Sequence, residues 1–328
     1  MKICVFGAGA IGGNFAARLA EAGNDVSVVV RGAHLEAIRA NGLTLLSGDK
    51  KIVKKVRASD KPADLGPQDV VLSTMKASGQ AALAETIGPL LREDTPVAFV
   101  QNGIPWWYGH GIGDKRPPAP DLSRLDPGGA LARAIGLGRT LGSVVTSSNH
   151  VIEPGVVRNI SPERNVLWVA ETNDEQSPRV LELRKTLIAA GISSPATTDI
   201  RYDVWHKLMA NLTGSTLCLL LREPTTIQAT AMINPLARRA HAEALAVAKA
   251  HGVVLDDSPE VRYGPKRVYP DHRPSILQDY ELGRPMEIEA IVRAPVAFAR
   301  SAGVATPTLD TIEALAVSLA VSKGLYAL

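Results

Sequence analysis

The chain has 328 residues, 45% hydrophobic and 21% charged, with a net charge of +3, which allows two domains with separate cores and excludes general disorder. No basic run is interleaved with aromatics, so nucleic acid is not an expected partner. The longest uncharged apolar stretch, around 208–221, is too short and too interrupted by Thr, Ser and Asn to span a bilayer, and no leader-type segment precedes the first strand. Cys4 and Cys218 are the only cysteines, which excludes a disulfide framework or a metal site built on cysteine and suits a reducing cytoplasm.

The first predicted strand is Lys2-Ile3-Cys4-Val5-Phe6, followed at once by Gly7-Ala8-Gly9-Ala10-Ile11-Gly12, a helical stretch from Asn14 to Ala22, and a second strand, Val26 to Val30. A strand, a glycine turn and a helix in this order form a grip for a dinucleotide pyrophosphate. Gly7 permits the turn, Gly9 lets backbone amides approach the phosphates, and Gly12 lets helix and strand pack closely. An NAD-preferring site would carry Asp or Glu after the second strand, and this chain has Arg31. A guanidinium there suits a 2′-phosphate, so the cofactor expected is NADP(H); the plainer alternative is a solvated charge at a strand end. Further strands are predicted at Gln68–Thr74 and Pro96–Val100, with a helix over Gln80–Leu91 between them, an alternation that argues for a parallel α/β sheet. From Gly142 to Ala170 the pattern is hairpin-like, with turns at Pro154-Gly155 and Ser161-Pro162, and is expected to complete the sheet edge. After Asp199 the pattern becomes helical, with helices expected at Arg201–Leu221, Pro235–His251, Ser275–Leu282, Glu287–Ala302 and Leu309–Lys323. The division is drawn at 1–198 and 199–328.

Several residues stand out for chemistry. Lys76 and Asn102 each follow a strand at the end where open sheets bind ligands, against the alternatives of surface solubility for the lysine and a plain Asn-Gly turn for the asparagine. The stretch Trp106–Gly129 is irregular and reads as a lid, a binding loop or a floppy insertion; tandem tryptophans argue for packing or for facing a substrate. Lys207 is the one certain charge between Val204 and Leu221, on a helix apolar over most of its circumference, with Asn211 and Ser215 at i+4 and i+8. Burial would lower its pKa by desolvating the ammonium, which suits a proton donor; snorkelling to solvent is the competing reading. Ser275 with Gln278 has the spacing of a capping box, and Pro285-Met286-Glu287 that of a helix start.

Taken together, Gly7–Gly12 with Arg31, Lys76, Gln101-Asn102-Gly103, Trp205-His206-Lys207-Leu208 with Asn211, and Ser275-Ile276-Leu277-Gln278-Asp279 with Glu287 resemble the ketopantoate reductases (2-dehydropantoate 2-reductases) over nearly the whole chain. The resemblance implies a Rossmann-like domain with a mostly parallel sheet followed by an all-helical domain, and NADPH-dependent reduction of a 2-keto acid, as in pantothenate biosynthesis. It implies Lys207 as general acid and Glu287 as the acid that orients lysine and substrate and reaches the cofactor. Asn211, Ser275 and Ser215 would be substrate-side, with Asn102 and Lys76 on the cofactor side. The chain departs from the pattern at Ser215, where many members carry Asn, and at Val292-Arg293, where an Asn-Gly pair is common. Both touch the substrate side, so a bulkier keto acid stays open. So do a related dehydrogenase of glycerol-3-phosphate or opine type and a non-catalytic NADP-binding regulator. A homodimer is compatible with this reading; the sequence does not decide the oligomeric state.

Overall fold

A computed structural model describes Met1–Leu328. Eleven strands occur: β1 (Lys2–Phe6), β2 (Asp25–Val29), β3 (Leu43–Ser47), β4 (Lys50–Lys54), β5 (Arg57–Ser59), β6 (Val70–Ser73), β7 (Val97–Phe99), β8 (Thr140–Thr146), β9 (Asn149–Glu153), β10 (Val156–Asn159) and β11 (Val166–Glu171). The main sheet has the order β11-β8-β7-β6-β1-β2-β5. Every pairing in it is parallel except β11 with β8. Its central strands are short runs of Val, Ile and Leu buried on both faces, as parallel strands covered by helices must be. Ile3, Val5, Val28, Leu72 and Ala98 pack with Phe15 and Leu19 of the helix Ala10–Glu21 and with Leu183 and Leu187 of the helix Pro178–Ala189. Strand order reverses between β1 and β6, and Gly7–Gly12 follows the carboxyl end of one while Thr74–Lys76 follows the other.

The expected sheet edge is found in β8 and β11, whereas β9 and β10 depart from that expectation. They join β3 and β4 in a second, four-stranded sheet of order β4-β3-β10-β9. Here β3 and β4 form a hairpin and β10 runs parallel to β3, with Val157 opposite Leu45. The outer strand β4 carries Lys50, Lys51 and Lys54, which discourages edge-to-edge pairing.

The chain divides into two compact units, Met1–Gln101 with Asp126–Ile200, and Asn102–Leu125 with Arg201–Leu328. Residues 102–125, which lie inside the 1–198 block of the sequence reading, group with the helical unit. The cause is their apolar content: Ile104, Trp106, Trp107 and Tyr108 are all buried, and Tyr108 and Trp205 each meet the Phe298 ring edge to face. The tandem tryptophans therefore serve packing. The helices of this unit follow the expected spans closely: Ile200–Met209, Asn234–Ala250, Ser275–Glu281, Ala294–Ser301 and Pro307–Ser322. Two turns of π-helix interrupt the pattern, Ala210–Ser215 directly after Ile200–Met209, and Glu289–Arg293 directly before Ala294–Ser301. Such turns recur at functional sites. No helix is long and apolar enough to cross a membrane.

Candidate active site

In the sheet unit, the helix Ala10–Glu21 begins at Gly9 with no side-chain cap and no acidic residue in its first turn. Its first amides have no acceptor within the helix, so a positive helix end and bare N–H groups are available to an anion. Gly7 sits at φ +101°, a conformation that disfavours any other residue. A Cβ on Gly9 would meet open space, whereas one on Gly12 would lie 2.2 Å from the Gly7 carbonyl oxygen and 2.4 Å from Thr74 Oγ1. Gly9 thus leaves room for a ligand's approach, and Gly12 allows the turn to close on itself. These residues fit a dinucleotide pyrophosphate. Gly12→Ala should disturb the turn at a cost of about 2 kcal/mol, roughly 30-fold in dinucleotide affinity by fluorescence titration, and unchanged affinity would refute the packing role given to Gly12.

Two supports of this turn escaped the sequence reading. His34 Nδ1 accepts from the Gly155 amide at 2.7 Å, which leaves its Nε2 to donate to the Ala8 carbonyl at 2.8 Å. Thr74 Oγ1 donates to the Gly7 carbonyl. Neither residue has a local motif; both act across long stretches of sequence. Arg31 is exposed, one residue beyond the Val30 that follows β2, and stands directly before the helix Gly32–Asn41. Lys76 is exposed beyond β6.

In the helical unit the structure brings three of the predicted residues together. Lys207 Nζ donates to Asn102 Oδ1 at 2.6 Å, and Asn102 Nδ2 donates to Glu287 Oε2 at 3.2 Å. Chemistry alone fixes the Asn102 amide this way round, since an ammonium can only donate and an ionised carboxylate can only accept. Each member is placed by packing. Lys207 is half-buried on a helix whose Val204, Trp205, Leu208 and Met209 are buried, and Trp205 Nε1 donates to Tyr108 Oη at 2.7 Å. Asn102 opens a bend in which Gly103 has φ +79° and a Cβ there would stand 2.4 Å from the Ala290 carbonyl oxygen. Ile104 N–H donates to that same carbonyl at 2.8 Å, so the Asn-Gly pair is both a turn and a way to dock Asn102 on the π-helix. Glu287 is buried just before that turn, flanked by the buried Met286 and Ile288. Asn102, read from the sequence as a cofactor-side residue, is thus the bridge between the lysine and the carboxylate.

Asn211 and Ser215 lie on the π-helical turn after Lys207 and are half-buried, while Leu212, Thr213 and Gly214 between them are buried. Ser275 is exposed at the first position of its helix. The capping box expected there does not form: Pro274 is the cap residue, and Gln278 Nε2 donates to the Arg273 carbonyl at 2.7 Å. Proline ahead of Ser275 moves the serine one place into the helix, from which its hydroxyl cannot serve as the cap.

Residues 3–110 match the family described as ketopantoate reductase PanE/ApbA, and residues 199–319 match its C-terminal part. A 2-dehydropantoate 2-reductase of Mesorhizobium japonicum is 41% identical over 99% of this chain and 100% of its own length. The chain belongs to the ketopantoate reductase family. A crystal structure provisionally named as a ketopantoate reductase, from Ralstonia solanacearum MolK2, is similar at 33% identity and a TM-score of 0.88, covering 99% of each chain. The fold is also that of a D-mandelate dehydrogenase solved with NADH and anilino(oxo)acetate, which is 22% identical with a TM-score of 0.82 over 99% of this chain and 100% of that one. The first part matched to the ketopantoate reductases carries the glycine turn and Asn102, and the second carries Lys207 and Glu287.

Proposed function

We propose that this chain reduces 2-dehydropantoate to pantoate at the expense of NADPH, with Lys207 as the proton donor. The bond from Lys207 Nζ to Asn102 Oδ1, continued to Glu287, carries this reading. When bound, the reduced dinucleotide supplies the hydride that reaches C2 of the keto acid. The uncapped amides at Gly9–Gly12 would hold its pyrophosphate, Arg31 its 2′-phosphate, and Lys76 its sugar or nicotinamide side. Reduction at C2 drives negative charge onto the keto oxygen, so an ammonium at that oxygen stabilises the transition state more than the ground state. Lys207 then gives its proton to the oxygen, leaving the 2-hydroxy acid and a neutral amine that is reprotonated from solvent. Asn102 keeps Nζ in one place through its carbonyl oxygen and is itself held by Glu287. Asn211, Ser215 and Ser275 would receive the polar groups of the substrate.

The test is NADPH oxidation across a panel of 2-keto acids, with ketopantoate and bulkier aryl members. Preferred turnover of ketopantoate is the expected result, and no turnover of any 2-keto acid would end the reading. Cofactor choice is separately testable. Arg31→Ala removes a charge-assisted contact worth about 1.5–3 kcal/mol, so the KM for NADPH should rise roughly 10- to 100-fold while that for NADH hardly changes. Equal effects on the two cofactors would remove the 2′-phosphate from Arg31.

A further inference from the structure

Glu287 is straddled by a pair of residues far from it in sequence. Immediately before it, the Met286 amide donates to the Leu325 carbonyl at 3.0 Å. Two residues after it, Glu289 accepts a hydrogen bond from Tyr326 Oη. Leu325 is buried in one apolar cluster with Met286, Ile288, Ile291 and Val292, and Tyr326 packs against that cluster. The segment following the helix Pro307–Ser322 therefore grips the backbone and a side chain on both sides of the carboxylate.

The Tyr326 hydroxyl is used to its full capacity. It donates once, to Glu289, and accepts twice, from Arg293 Nη1 at 2.9 Å and Arg124 Nη2 at 3.2 Å. The two arginines also reach Glu289 Oε2, at 3.0 Å from Arg124 Nε and 3.2 Å from Arg293 Nη1. Arg124 further donates to the Ala327 carbonyl at 3.0 Å. Arg124 lies near the far end of the 102–125 segment that opens with Asn102, so one cluster ties down that segment, the π-helical turn and the residues flanking Glu287. Burial, and next the neighbouring Glu289, raise the Tyr326 pKa above its ordinary value, so the phenol stays a donor throughout the neutral range.

We propose that Tyr326 is a positioning residue for the reaction, setting Glu287, and through it Asn102 and Lys207, by clamping Glu289. The proposal rests on the assignment of Glu287 to the site. A carboxylate on a short link between Met286 and a π-helical turn can swing with that turn; fixing Glu289 and the Met286 amide removes this freedom. Tyr326 touches neither substrate nor cofactor in this scheme.

The experiment is a double-mutant cycle of Tyr326→Phe and Glu287→Gln, read by kcat and KM on ketopantoate and KM for NADPH, with thermal midpoints alongside. Phenylalanine keeps the ring packing and removes only the hydroxyl. In the native background Tyr326→Phe should lower kcat/KM for the keto acid roughly five- to tenfold with the NADPH KM unchanged, and in the Glu287→Gln background it should have less than about a twofold effect. Equal factors in both backgrounds, or a lowered midpoint with wild-type kinetics, would overturn the proposal and leave the proposed function standing. Wild-type turnover by Glu287→Gln alone would instead overturn the assignment of Glu287 and this proposal with it. Arg124→Gln, at an exposed position bonded to the same two groups, gives the same comparison should Tyr326→Phe fold poorly.

Discussion

Replacing Lys207 with alanine is expected to lower kcat/KM for the 2-keto acid by about 10²- to 10⁴-fold, the range typical of losing a positioned general acid. The expectation follows from where the ammonium is held. A snorkelling lysine would lay its stem along the apolar helix and put Nζ in water. Lys207 is half-buried instead, and its Nζ is bonded to Asn102 Oδ1 at 2.6 Å, with Glu287 on the far side of the same amide. The ammonium carries three N–H groups, and one of them is committed to this amide. A keto oxygen that accepts from the ammonium gains negative charge on reduction. Because the interaction strengthens as charge develops, most of the loss should appear in kcat, with a smaller change in KM. Steady-state kinetics of Lys207→Ala, with NADPH affinity and thermal midpoint shown to be unaltered, decide the matter. Turnover within a few-fold of the native enzyme would end the proton-donor role.

The sequence made part of this arrangement readable for physical reasons. A glycine turn between strand and helix is a local feature, so Gly7, Gly9 and Gly12 could be given their tasks from spacing alone, and the apolar surround of Lys207 follows from a helical repeat of a few turns. Other parts depend on pairings that no local pattern records. The sheet formed by β3, β4, β9 and β10 joins residues 43–54 to residues 149–159, and the alternation in each piece was too short to announce a partner. His34 reaches Ala8 on one side and Gly155 on the other, and an isolated histidine gives no sign of either. The π-helical turns cannot be seen in a 3.6-residue repeat, although Gly214, whose Cβ would stand 2.5 Å from Gln228 Oε1, marks one of them. The bonds of Asn102 to Lys207 and Glu287 were not legible for a different reason. Its position after β7 suggested a cofactor contact, and only the folded chain shows that Gly103 and Ile104 turn onto Ala290 and bring the asparagine to the lysine and the carboxylate. Val292-Arg293, noted only as a departure from the family pattern, proves to place one buried apolar residue in the core and one arginine on Tyr326.

Arg201→Ala is expected to cost about 4 kcal/mol of stability, because it strips a buried guanidinium from two backbone carbonyls and leaves a cavity. Arg201 is 1% exposed. Its Nε and Nη2 donate to the Tyr108 carbonyl at 3.1 and 3.0 Å, and Nη2 also donates to the His110 carbonyl. The guanidinium lies over the rings of Trp107 and Tyr108, 5.8 and 5.5 Å from their centroids. Each buried acceptor left without a donor costs about 1–3 kcal/mol. Lysine would recover little, since one ammonium cannot both reach two carbonyls in a fork and lie flat on two rings. The loss should also reach the chemistry: Tyr108 receives the Trp205 indole N–H at 2.7 Å, two residues before Lys207, and the clamped segment starts at Asn102. Urea unfolding should therefore show a lower midpoint with an unchanged slope, and the folded fraction should retain NADPH binding while losing turnover of the keto acid. A native midpoint for Arg201→Ala would mean that the aromatic packing around Tyr108 holds the segment without the arginine.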